Sequence, residues 1–113
     1  MLFRSSRNKN DYDLLVYCAN WPESRREVWL KLLLARAIEN QCYVAAVNRV
    51  GKDGNGLNHT GDSVLIDPRG NIMVQATKND ACTISADLDY LKLEKFRSDF
   101  PVWMDTDNFE IYL

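Results

Sequence analysis

The sequence has no long hydrophobic run: nothing in it approaches the roughly 18 uninterrupted apolar residues of a membrane-spanning helix. It has no excess of positive charge either. Lys and Arg number 14 against 16 Asp and Glu, a net charge of −2, so the chain offers no broad basic surface for nucleic acid. Cysteine is scarce and odd in number: Cys18, Cys42 and Cys82 are widely spaced, with no CxxC pair. This pattern argues against a disulfide framework and fits thiols kept reduced in the cytoplasm. There is one histidine, His59, so no Cys/His cluster is available and a structural zinc site is not expected. The opening MLFRSSRNKN holds no apolar core and no small-residue cleavage site, unlike a secretory signal. Repeats and low-complexity segments are absent too.

What remains is ordinary globular material. The 113 residues are 46% hydrophobic and 27% charged, enough for one domain at most, with a modest core. Residues 4–11 are polar and read as a loop. Leu14 to Cys18 is a short apolar run with turn chemistry on both sides, a buried strand. Pro22 interrupts. Ser24 as N-cap with Glu27 as its capping-box partner predicts a helix from about Arg25 to Asn40. Glu27 and Lys31 are an i,i+4 pair on its exposed edge. Val28, Trp29, Leu30, Leu32, Leu33, Leu34, Ala35, Ala37 and Ile38 wrap most of this helix, so it needs cover on more than one side, from a further layer or another subunit.

Residues 42–50, CYVAAVNRV, predict a central strand, and 51–61, with four of the five glycines, a loop. Residues 62–68 and 71–77 predict a hairpin around the turn Asp67-Pro68-Arg69-Gly70-Asn71. CTISADL, 82–88, alternates apolar and polar residues and reads as a half-exposed strand. Asp87 or Asp89 caps a last helix to about Ser98, with Leu91, Leu93 and Phe96 inward. In the aromatic tail, Trp103, Phe109 and Tyr112 are too apolar to dangle and are expected to dock on a surface. The order of elements is that of a mixed α/β layer arrangement.

Three stretches carry a family resemblance: YDLLVYCANWPESR (12–25), LLLARAIENQCYVAAVNRVGKDGNG (32–56) and GDSVLIDPRGNI (61–72). In this order and spacing the chain, from about Arg7 to Phe109, resembles the carbon–nitrogen hydrolase (nitrilase) superfamily, in particular its bacterial omega-amidase branch. The resemblance implies an α-β-β-α sandwich of roughly twice this length or more. This chain would be its C-terminal half: a single partial domain, 1–113, with a mixed sheet, one long buried helix and a short C-terminal helix. The implied chemistry is hydrolysis of a small amide to acid and ammonia through a Cys thioester, with a Glu base and a Lys that holds the oxyanion. The family's nucleophile lies in a Cys-Tyr-Asp-Leu-Arg-Phe-Pro type segment just upstream of Arg7, where this chain reads MLFRSS. The Glu and Lys belong to the family's N-terminal half. The chain alone is therefore expected to be inactive, with no catalytic residue of its own, and to self-associate or await an N-terminal half.

Individual residues can be weighed beside that resemblance. Asn20, Trp21 and Pro22 follow the carboxyl end of a strand, where open α/β sheets place ligands, and are expected to border the substrate pocket. Arg36 and Glu39, three apart on an apolar helix, are expected to be structural, paired with each other or clamping loops. Asn48 either satisfies loop backbone beside the site or simply starts the turn. Cys18 needs a base to be a nucleophile, and His59 is the obvious one; a small buried residue is the expected reading, as it is for Cys42 and Cys82. A non-catalytic interaction or oligomerisation module, and a Cys18–His59 hydrolase, are the two alternatives. The 51–61 loop lacks the order of a phosphate-binding loop, and Ser63 has no His/Asp partners nearby, so both are expected to be structural.

Overall fold

Trp29, Leu33 and Ala37 recur every four residues and put one stripe of helix α1 (Arg26–Asn40) against a sheet. In the computed structural model, which describes residues 11–105, that sheet is mixed. Its order is β1 (Leu14–Ala19), β2 (Tyr43–Asn48), β5 (Val64–Ile66), β6 (Ile72–Gln75). Strands β1 and β2 run parallel, as α1 is the crossover between them, and the other two pairs are antiparallel. The hairpin β5–β6 turns at Asp67–Asn71 as its residues predict: the Gly70 N–H donates to the Asp67 carbonyl, and the Asp67 carboxylate accepts from the Arg69 and Asn71 amides. The core lies between α1 and one face of the sheet: Trp29, Leu33 and Ala37 meet Cys42, Val44, Ala46, Val64 and Ile66.

Several expectations need correction. Ser24 does not cap the helix. Pro22 sets off a 3-10 turn at Glu23–Arg25, Ser24 falls inside it, and α1 starts without a side-chain cap. The run 42–50 does not stay one strand: it breaks after Asn48. Val50–Lys52 (β3) then pairs with Asn58–Thr60 (β4) as a separate two-stranded sheet inside the expected loop. Residues 82–88 form no strand, and Cys82 is exposed instead of buried, because no neighbouring strand offers a ladder to the alternating pattern. Helix α2 (Tyr90–Asp99) is capped by Asp89, whose side chain accepts from the Lys92 amide, and buries Leu93; Leu91 is 78% exposed, on the opposite side. Its second buried residue is Arg97, which the apolar pattern hid. Trp103 is exposed on this chain, so it does not dock on the chain's own described surface; Phe109 and Tyr112 lie outside the described residues.

Arg97 ties three elements together. Its guanidinium donates to the Gln41 carbonyl after α1, to the Tyr12 carbonyl and to the Asp13 carboxylate before β1. Gln41, in left-handed backbone (φ 45°) at the end of α1, returns a side-chain bond to the Phe100 carbonyl.

The described residues form two layers, helix on sheet, and add no third. On the sheet face away from α1, Val16 and Val47 are 62% and 55% exposed. On the outer side of α1, Val28, Leu32 and Ile38 are exposed as well, as a helix apolar on most sides requires when only one side is covered.

Candidate functional site

Strands β1 and β2 end level with each other, Ala19 beside Asn48. Beyond Ala19 the chain leaves the sheet as Asn20-Trp21-Pro22, and its peptide groups lose their ladder partners. Asn48, buried, replaces them. Its Oδ1 accepts from the Trp21 N–H at 2.7 Å, and its Nδ2 donates to the Trp21 carbonyl at 3.0 Å and to the Gly61 carbonyl at 2.8 Å. The Asn48 N–H donates to Ser63 Oγ at 3.0 Å. Of the two roles open to Asn48, the structure selects satisfaction of loop backbone. Ser63 Oγ in turn donates to the Asn48 carbonyl at 3.3 Å.

The Trp21 ring is held too. The Arg25 guanidinium lies 5.0 Å from its centroid, and the Trp29 ring is 5.6 Å away, tilted by 48°. Trp29 in turn donates its Nε1–H to the Asp62 carbonyl at 3.1 Å. Asp62 is buried in left-handed backbone (φ 60°) directly after Gly61 (φ 79°), where a Cβ would stand 2.7 Å from Val50 Cγ1. Its carboxylate takes Arg26 Nε at 2.9 Å on both oxygens and the Thr60 hydroxyl at 2.5 Å. The corner 60–63 is thereby fastened to the first turn of α1.

These contacts form the wall of a cleft of about 350 Å³ between the end of β1 and α1. Tyr17, Cys18, Asn20, Trp21, Trp29, Leu32 and Arg36 line it, so the expected pocket residues Asn20 and Trp21 do meet there; Pro22 adjoins them but is not part of the lining. Arg36 forms its ion pair with Glu39, as the i,i+3 spacing allowed. The Tyr17 hydroxyl is buried without a hydrogen-bond partner among the described residues. Burial raises its pKa, against the pull of the Arg36 charge. Cys18 is exposed, which corrects its reading as a buried residue: Leu14, Val16 and Cys18 share the uncovered face of β1.

His59 is not brought to this cleft. It is buried on β4, its Nδ1 3.1 Å from the Leu57 carbonyl and its Nε2 4.0 Å from the Asp53 carboxylate. No contact joins it to Cys18 among the described residues. Asp53 closes the β3–β4 loop by accepting from the Asn55 and Leu57 amides, and the Leu57 bond foremost lowers its pKa. Nearby, Lys78 and Asn58 both bond Glu23 and lower its pKa, the Lys78 hydrogen bond most. A second cleft, about 400 Å³ near Ile38 and Phe96, holds Arg69 stacked 4.3 Å over the Phe96 ring. Among the described residues no group of three or more His, Cys, Asp or Glu is placed to hold a metal ion. No helix there is long and apolar enough to cross a membrane. Among the described residues the arrangement is a hydrogen-bonded cleft wall without a paired nucleophile and base.

Sequence reasoning missed Arg26, Asp62 and Tyr17. Asp62 carried a usable signal: an acidic residue directly after a glycine, facing no polar run, needs a cation. Tyr17 carried none, since its hydroxyl is distinguished only by burial.

Comparison with known proteins adds the rest. The sequence profile of the family described as carbon-nitrogen hydrolase matches residues 4–98. Omega-amidase YafV of Escherichia coli is 51% identical over 107 residues, which are 95% of this chain and 42% of that protein. The 2-oxoglutaramate amidase of Bacillus subtilis is 36% identical over 93 residues, 82% of this chain and 35% of that one. Among solved structures, a CN-hydrolase superfamily protein from Xanthomonas campestris, with an arsenic adduct in its active site, superposes with a TM-score of 0.86 at 43% identity. The match covers 90% of this chain and 38% of that one. The chain thus spans about two fifths of the length of the relatives it matches.

Proposed function

The chain belongs to the carbon–nitrogen hydrolase family, and from that membership we propose that its 113 residues are the C-terminal, pocket-bordering portion of an omega-amidase-like enzyme. The complete enzyme hydrolyses a small amide to acid and ammonia. A Cys thiolate attacks the amide carbon, ammonia leaves, and water cleaves the thioester, with a Glu base and a Lys at the oxyanion. The reaction calls for no metal and no organic cofactor. This chain supplies none of those three residues. It supplies a wall: Asn20, Trp21 and Pro22 border the substrate, and Arg36, Glu39 and Asn48 hold the surrounding backbone and helix. The observation that carries the reading is the fixed Asn20-Trp21-Pro22 loop at a cleft, in a chain 51% identical to an omega-amidase. Since the Bacillus subtilis relative is named for 2-oxoglutaramate, that amide is the first substrate to try.

The uncovered sheet face at Val16 and Val47 is where an N-terminal half would lay its own sheet, and the outer face of α1 is where a second copy would pack. The location that fits is the cytoplasm. The exposed Val28, Leu32 and Ile38 favour a second reading, a non-catalytic oligomerisation module that keeps the fold. A Cys18–His59 hydrolase gains no support from two side chains held in different places.

Reading the DNA upstream of the Met1 codon separates the first two. The amidase reading expects, in frame or after one shift, a Cys-Tyr-Asp-Leu-Arg type segment with a Lys and a Glu before it. Upstream DNA that encodes nothing of the kind would leave the amidase as ancestry only and bring the oligomerisation module forward.

A further inference from the structure

We propose that Asn48 is the positioning residue of the Trp21 wall. The inference rests on reading residues 20–22 as a pocket border. Its physical basis is independent of that reading. Beyond Ala19, β1 has left the sheet, and the Trp21 peptide would present an unmatched N–H and C=O beside a cleft. Asn48 at the end of the neighbouring strand bonds both. One carboxamide thus stands in for a ladder step that the backbone no longer makes.

The chemistry fixes the residue type. Both Nδ2 protons and Oδ1 are used, so the amide orientation is determined: flipping it would set Oδ1 against two carbonyl oxygens. Asp offers the acceptor but no donor. An apolar residue offers neither, although a site this deeply buried would otherwise favour one. The third bond, to the Gly61 carbonyl, ties Trp21 to the corner that Arg26 and Trp29 hold through Asp62. The backbone of Trp21 is therefore set from the sheet, and its ring from the helix, through Arg25 and Trp29. Its place in the cleft is decided by Asn48 more than by its own loop.

Amide hydrogen exchange of the full 113-residue chain, in whatever assembly it forms, tests this without any turnover. Failure of the amidase reading therefore leaves the test standing. In Asn48→Ala the Trp21 amide is expected to exchange about tenfold faster relative to the amides of Leu33 and Val44, the scale of one lost hydrogen bond. In Asn48→Asp a carboxylate oxygen replaces the donor that faces the Trp21 and Gly61 carbonyls, so the Trp21 amide is expected to exchange faster there too, although the acceptor is kept. An unchanged Trp21 amide in the Ala variant, or equal acceleration of all three amides, overturns the proposal. Should the Ala variant not fold, the Asp variant decides: a Trp21 amide that exchanges faster relative to those of Leu33 and Val44 supports the proposal, and one as slow as in the parent overturns it.

Discussion

A buried carboxylate in left-handed backbone carries two penalties at once, desolvation and an unfavourable φ, and Asp62 carries both. The compensation is visible atom by atom: Arg26 and Thr60 on the carboxylate, the Trp29 indole on the carbonyl. Arg26 is itself 38% exposed in its side chain, so water screens part of the ion pair. Asp62→Asn keeps a residue that tolerates this φ and an oxygen for one partner, and should cost about 1–2 kcal/mol. Asp62→Ala loses every side-chain bond, leaves Arg26 unmatched and keeps the strain, and should cost about 3 kcal/mol. Urea unfolding at unchanged m-value checks the ranking. Two variants both within about 0.5 kcal/mol of the parent would show that the corner is held by something else. The need for a cation at Asp62 could be read from the sequence, but its partner could not, because Arg26 and Asp62 are far apart in the chain and only the folded corner shows them as partners.

At the scale of elements, what periodicity governs was readable and what depends on partners was not. Helix α1, the β5–β6 hairpin and the Asp89 cap follow from spacing and turn chemistry within a few residues of one another. The β3–β4 pair and the absent 82–88 strand depend on whether another segment offers its edge, which no local pattern states. The Asn20-Trp21-Pro22 loop could be placed at a strand end from sequence; the residue that holds it, Asn48, could be named but not assigned. Helix α1 also has a consequence outside the monomer. Leu32 lines the first cleft and Ile38 the second, so the outer face is best probed at Val28, 39% exposed. Val28→Lys should lower the apparent mass in light scattering or sedimentation if copies associate through this face. An assembly of unchanged mass would place any self-association on the sheet face instead.

At the largest scale the described residues form a slab. Its extents are 46 × 39 × 18 Å, and its radius of gyration is 15.7 Å, where a compact domain of this length has about 13 Å. One helix layer on one sheet leaves apolar residues on both outer faces, and a stable domain closes such faces with another layer. The family resemblance was legible in full from three stretches of sequence, and the flatness is what the proposed reading, a half built to be covered, expects. Ammonia release from 2-oxoglutaramate is the most direct test of this account. It should be measured for the 113-residue chain alone and for the chain joined to the segment encoded immediately upstream. The account predicts no release from the chain alone and steady release from the joined protein. Turnover by the 113 residues alone would contradict it, and so would a joined protein that carries the Cys, Lys and Glu yet releases nothing from any small amide.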